Sequence, residues 1–144
     1  MVSFVKRKTR TRQLLVQALY SYQMNPRAVV LLKTELLESV DEDAIDLKFF
    51  EETLTNLLAE QKSLQAEFLP LLARVGTEPN PIEAAILMLG VYELKHCLET
   101  PVKVVLNECI ELAKAYGSAE GHRFVNGILH QLGTRLRLSE FRTA

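Results

Sequence analysis

Apolar residues recur every three to four positions along almost the whole chain, and this spacing limits the possible fold more than any other feature of the sequence. Such a period places the apolar side chains on one side of an α-helix, whereas a half-buried strand needs strict alternation. The sequence contains no segment with that alternation, no internal repeat and no low-complexity stretch. It therefore predicts an all-α fold, a compact bundle of about seven helices.

A stretch that contains proline and glycine, residues 75–81, divides the chain. We expect an N-terminal helical half over about residues 1–75 and a C-terminal helical half over about residues 80–138. Neither half is expected to bury a core alone, and a hydrophobic content of 48% in 144 residues suits one core. The prediction is a single domain, residues 1–144, made of two helical subdomains.

Local signals predict where several helices begin, bend and end. Residues 80–83 read Asn-Pro-Ile-Glu, which combines a capping side chain, a proline in the first turn and a glutamate that returns the capping bond. Pro70 is expected to kink or divide the helix around it because proline has no N–H to donate. Gly117 is expected to end a helix in the left-handed conformation.

The chain has a net charge of only -1, but its charges are separated along the sequence. Residues 1–33 contain seven basic side chains and no acidic ones, and residues 34–67 contain ten acidic side chains and two basic ones. Five cations within seven positions form the basic run: Lys6, Arg7, Lys8, Arg10 and Arg12. Phosphate groups would pair with this run. A solubilising tail, or a docking site for an acidic protein surface, fits the charge equally well.

A second polar cluster, residues 120–127, opens the last predicted helix. Arg123 and Phe124 place a cation beside a ring at a helix start, an arrangement that suits the stacking of unpaired bases. Phe124 taken alone is more typical of a core residue. Tyr20 and Tyr22 face the core as readily as they stack on bases.

The sequence contains no arrangement typical of catalysis, a cofactor or a metal. Its three histidines belong to no motif, and the chain has no HExxH, GxSxG or phosphate loop. Cys97 and Cys109 lie outside any CxxC pair, which favours reduced thiols in a cytoplasmic protein. No apolar run resembles a signal peptide or approaches the roughly 20 residues of a membrane span. We expect a non-enzymatic protein without cofactor, metal or membrane contact.

Three ordered blocks of sequence carry a resemblance to a known family. The basic run leads into residues 17–23 (QALYSYQ), and residues 82–87 (IEAAIL) continue to 91–94 (VYEL). The third block is residues 101–117 (PVKVVLNECIELAKAYG), followed by 124–129 (FVNGIL). Along essentially its full length the chain resembles the NusB family of bacterial transcription antitermination factors.

The resemblance implies an all-helical fold of two subdomains and a non-enzymatic role. Members of this family pair with NusE, a ribosomal small-subunit protein, and the pair binds the boxA element of nascent RNA. With other Nus factors and RNA polymerase they suppress termination, notably in ribosomal RNA operons. The RNA-binding positions that the resemblance implies are Lys6, Arg7, Lys8, Arg10, Arg12, Glu120, Arg123 and Phe124. The positions that it implies for NusE or the adjoining RNA edge are Tyr20 and Glu83.

The chain departs from the family pattern at a few positions. Met88 stands where the family commonly has arginine, and His130 replaces a frequent aspartate. Lys6 and Lys8 stand where arginines are usual, so attraction to phosphate is retained while planar, bidentate contacts are weakened.

Two other functions and one assembly remain open at this point. A helical adaptor would use its basic face to dock an acidic protein without RNA. An enzyme or enzyme accessory domain is the second alternative, since similar helical domains occur fused to RNA methyltransferases, although this sequence contains no cofactor-binding βα unit. An exposed partner-binding face would also permit a homodimer.

Overall fold

The structure, a computed structural model, describes residues 3–76 and 78–142, and the described residues form α-helices without any strand. The helices are α1 (Phe4–Met24), α2 (Val29–Leu37), α3 (Leu47–Ala59), α4 (Gln61–Val75), α5 (Pro81–His96), α6 (Val102–Tyr116), α7 (Gly121–Leu136) and α8 (Leu138–Arg142). A 3-10 turn, Glu42–Ala44, precedes α3. The predicted all-α fold is confirmed. No helix in the described part of the chain is both long and apolar enough to cross a membrane.

The chain forms two compact units, Met1–Glu60 and Gln61–Ala144. The first unit contains α1, α2 and α3, and the second contains α4 to α8. The stretch predicted to divide the chain, residues 75–81, lies inside the second unit because α4 packs against α5 and α7. Thr77 of that stretch lies outside the described residues. The single domain over residues 1–144 stays a prediction.

Of the two outcomes expected at Pro70, a kink or a division of the helix, division does not occur, because α4 runs through it from Gln61 to Val75. The missing N–H would have bonded the carbonyl of Ala66, and both residues are exposed, so that carbonyl is accessible to water. The break between helices falls earlier, at Glu60, whose N–H still bonds the carbonyl of Asn56 to close α3.

In the first unit, α1 packs against both α2 and α3. Each helix contributes an apolar stripe to the core of this unit. The largest fully buried side chains of the unit are Leu15, Leu19, Leu32, Phe50, Leu54 and Leu57. These positions repeat at helical spacing, as the sequence pattern requires.

In the second unit, α5 is surrounded by α4, α6 and α7 and is buried along almost its whole length. The three helices approach closely at Gly90, where a Cβ would lie 2.8 Å from Cδ1 of Leu129 and 3.2 Å from Sγ of Cys109. Any larger residue there would push these neighbours apart, so glycine allows α5 to pack directly against α6 and α7.

A buried arginine, Arg137, closes the C-terminal end of α5. Its guanidinium donates hydrogen bonds to four backbone carbonyls, those of Glu93, Leu94, Cys97 and Thr100, at 2.7 to 3.0 Å. It also pairs at 2.6 Å with Glu140, which in turn accepts the N–H of Val102 at the start of α6. The Val102 and Arg137 hydrogen bonds together hold the pKa of Glu140 below its ordinary value. One side chain therefore satisfies carbonyls that a helix end leaves unpaired.

We expect Arg137→Met to lower the free energy of unfolding by about 3 kcal/mol or more, because it leaves buried carbonyls without donors. Urea denaturation followed by circular dichroism measures this change. Arg135→Met is the matched control, since Arg135 is exposed and its contact with Glu67 lies at the surface, where an ion pair contributes less than about 1 kcal/mol. Equal effects of the two substitutions would contradict the assigned role of Arg137.

Candidate nucleic-acid interface

The basic run occupies the first three turns of α1. Ser3 caps this helix, its Oγ accepting the N–H of Lys6 at 3.2 Å, so the run is helical from its first cation. Lys6 and Arg10 are exposed on one face of α1. Together with Thr9 and Gln13 they line an open surface depression of about 340 Å³, which we name the α1 depression. All four lining residues are polar, and two of them are positively charged.

Two other cations of the basic run point towards α3 instead. The ammonium of Lys8 lies 3.5 Å from the centroid of the Phe49 ring and 3.5 Å from Oδ2 of Asp46. Arg12 is only 3% exposed, and its guanidinium carbon lies 6.0 Å from the same ring. Both cations lie against an aromatic face that attracts positive charge. The basic run therefore has an exposed side and a side that packs within the first unit.

Hydrogen bonds centred on Asp46 fix the orientation of α1 against α3. Asp46 caps α3 through Oδ1, which accepts the N–H of Phe49 at 3.0 Å. Its own N–H donates to the hydroxyl of buried Thr11 at 2.8 Å, and that hydroxyl donates to the carbonyl of Arg7 at 2.7 Å. Arg7 is half-buried at this contact. These bonds determine which cations of α1 face outward, and sequence analysis did not identify Thr11 or Asp46.

The second predicted cluster lies at the start of α7, and we name Glu120, Arg123 and Phe124 the α7 patch. Glu120 and Arg123 pair at 3.5 Å, yet both side chains are 77% exposed, so the pair is weak. Phe124 is half-buried. The patch offers a cation and part of an aromatic ring to a ligand.

Glu83 is buried, 4% exposed, and its carboxylate holds the loop that leads into α7. The capping box predicted at residues 80–83 is confirmed, with Asn80 and Glu83 exchanging bonds of 2.8 and 3.1 Å. Oε2 of Glu83 also accepts the N–H and the hydroxyl of Ser118, at 2.9 and 2.6 Å. Burial opposes ionisation of this carboxyl, but the hydrogen bonds from Ser118 and Asn80 outweigh it and lower the pKa of Glu83.

Two glycines allow the Glu83 carboxylate to enter this loop. A Cβ on Gly121 would collide with Oε2 of Glu83, and a Cβ on Gly117 would lie 3.2 Å from the same oxygen and 2.7 Å from the carbonyl of Ala113. Gly117 has a φ of -87°, so the expected left-handed conformation is wrong. The close approach of Glu83 and of the helix backbone explains the glycine instead.

The two residues predicted for partner binding have different environments. Tyr20 is exposed at 37% on α1. Glu83 is enclosed by bonds to its own unit, so any effect it has on a partner acts through the loop before α7. Met88, where the family commonly has arginine, is a buried apolar residue of α5 at 5% exposure.

Within residues 3–76 and 78–142, no group of three or more His, Cys, Asp and Glu side chains is placed to hold a metal ion. Cys97 and Cys109 are both buried and do not form a disulfide.

Comparison with known proteins gives a consistent result across nearly the whole chain. Residues 9–133 match the model of the NusB family. The chain is 41% identical over 133 residues to the transcription antitermination protein NusB of Aromatoleum aromaticum, covering 92% of each chain. It is 44% identical over 138 residues to the protein of that name from an Azoarcus species, covering 95% of this chain and 89% of the relative. The solved structure of T. maritima NusB is similar with a TM-score of 0.71, at 25% identity and 99% coverage of both chains.

We expect Ser118→Ala to reduce the free energy of unfolding by about 1–2 kcal/mol at neutral pH, because a buried carboxylate loses a hydrogen bond. Since the pKa of Glu83 is lowered in the folded state, ionised Glu83 stabilises the fold above the unfolded pKa of about 4.3. That contribution is lost as the pH falls through the lowered pKa, so the difference between wild type and variant should shrink there. Denaturant titrations across this pH range measure it.

Ser39→Ala is the control for this experiment, because Ser39 is exposed in the first unit. It should leave stability and its pH dependence unchanged. A Ser118→Ala difference that stays constant as the pH falls below about 4 would show that Glu83 is not the group involved.

Proposed function

The chain belongs to the NusB family of transcription antitermination proteins, and from that premise we propose that it binds single-stranded RNA of the boxA type through the exposed side of α1. In this proposal it acts with NusE and without catalysis. The RNA lies in nascent transcripts, notably of ribosomal RNA operons. The complex joins RNA polymerase and other Nus factors to suppress termination.

The α1 depression is the observation that carries the proposal. Lys6 and Arg10 lie about 6 Å apart along the axis of α1, one turn from each other. Neither forms an ion pair with another described residue. Lys6 lies in the first turn of α1, where a cation opposes the helix macrodipole, so its placement costs stability unless an anion is bound. RNA phosphates supply that anion.

The cations of the basic run have two different roles in this proposal, direct contact with phosphates and a contribution to the positive potential. Lys6 and Arg10 contact phosphates directly, and half-buried Arg7 lies at the edge of the site. Lys8 and Arg12 contribute positive potential from the inner side of α1 while they contact Phe49. The direct contacts thus come from fewer residues than the sequence pattern implies.

The α7 patch supplies the second contact in this proposal. Arg123 exchanges its weak surface pair with Glu120 for an RNA phosphate or a base plane, and Phe124 presents the edge of its ring to a base. Glu83 holds the loop before α7, so the patch is preorganised. Exposed Tyr20 on α1 is the proposed contact for NusE. A partner that adds RNA-binding surface raises the affinity of a small site.

We expect Lys6→Ala and Arg10→Ala each to weaken binding to a boxA-type RNA roughly tenfold and to make the slope of log affinity against log salt shallower by about 0.7. Each substitution removes one phosphate contact. Fluorescence anisotropy with labelled RNA, with and without purified NusE, measures both quantities. Lys48→Ala is the control, because Lys48 is an exposed lysine on α3, at a distance in sequence from the basic run.

A scrambled RNA of equal length tests selectivity in the same titrations. Wild-type protein that fails to prefer the boxA-type RNA even with NusE present would contradict the proposal. In that case the basic run is better explained as a docking site for an acidic protein.

A further inference from the structure

The α1 depression contains a side chain that a purely electrostatic site does not need, Gln13. Phosphate contacts position a nucleic acid, but they carry no sequence information. We propose that Gln13 reads a base, an adenine, of the single-stranded RNA whose phosphates lie on Lys6 and Arg10. This inference rests on the proposed function and adds the residue that determines specificity within the same site.

Gln13 shares the exposed face of α1 with both phosphate-binding cations. Lys6, Arg10 and Gln13 follow each other at spacings of four and three residues, which place side chains above one another on a helix. Gln13 lies about 4.5 Å along the axis from Arg10, so one nucleotide can contact both residues. All three line the same depression, so a ligand that fills it touches the cations and the amide together.

The amide of Gln13 has no role inside the described structure. Its side chain is exposed, and within residues 3–76 and 78–142 it makes no hydrogen bond. The adjacent residues Leu14 and Leu15 are buried and hold α1 in the core. The fold therefore does not require glutamine at this position, and the amide remains available to a ligand.

The amide of Gln13 is complementary to the N7 edge of adenine. Glutamine offers one carbonyl acceptor and an NH₂ donor side by side. On its N7 edge adenine presents the complementary pair, a 6-amino donor next to the N7 acceptor, whereas guanine presents two acceptors there, so Gln or Asn pairs with adenine in a bidentate manner at that edge. Unpaired RNA bases expose these edges, so an extended strand on α1 can present one adenine to Gln13.

The matched control is Gln17, which lies one turn further along the same exposed face but outside the α1 depression. We replace each glutamine by methionine, which keeps the length and the helix propensity of the side chain and removes both hydrogen-bonding groups. Since both positions are exposed on α1, both variants retain the fold.

The probes are a boxA-type RNA that contains adenine and a set of versions in which each adenine in turn is replaced by purine riboside, which lacks the 6-amino group. Wild-type protein with NusE should bind one of these versions roughly tenfold more weakly than the parent RNA. Gln13→Met should bind the parent RNA roughly tenfold more weakly and no longer distinguish that version, with its salt slope unchanged. Gln17→Met should behave as the wild type.

The outcomes separate this inference from the proposed function. Wild-type protein that binds no RNA selectively overturns both. Selective wild-type binding that Gln13→Met retains, or that Gln17→Met loses equally, overturns the role of Gln13 and leaves the proposed function standing. A shallower salt slope for Gln13→Met would also count against base reading, because an uncharged side chain neutralises no phosphate.

Discussion

The buried carboxylate of Glu83 joins the first turn of α5 to the loop before α7, and this contact fixes the loop that leads into the α7 patch. A charge in this position is tolerated because Ser118 and Asn80 donate three hydrogen bonds to it. The loop can close around the oxygens only where no Cβ intervenes, at Gly117 and Gly121. The position of Arg123 and Phe124 thus follows from a hydrogen-bonded anion.

The first unit uses a carboxylate in a similar way. Asp46 lies at the start of α3, where the helix dipole favours negative charge, and it contacts both Thr11 and Lys8 of α1. In each unit, then, an acidic side chain at a helix N-terminus fixes the element that carries the cations. The orientation of the exposed cations in each unit thus depends on an acidic side chain that bonds within its own unit.

The sequence predicts the helices and part of the site, and the remainder depends on contacts distant along the chain. The spacing of apolar residues is sufficient to predict the all-α fold, and residues 80–83 are sufficient to predict where α5 begins. Both predictions rest on residues that are close together in the sequence. The sequence pattern also predicts which cations of the basic run face inward. Arg12 and Lys8 precede Leu15 and Leu19 at spacings of three and four, so they continue the same buried stripe of α1. No sequence pattern predicts the hydrogen bonds that Ser118 donates to Glu83, because the two residues lie 35 positions apart.

The carbonyls that Arg137 caps lie 37 to 44 residues before it in the chain. A ribosome must therefore finish α7 before the end of α5 acquires its hydrogen-bond donors, whereas the first unit has all its helices within Met1–Glu60. The contacts that orient the cations of α1 are therefore all encoded in the first 60 residues, whereas those that close the C-terminal end of α5 require the chain up to Glu140.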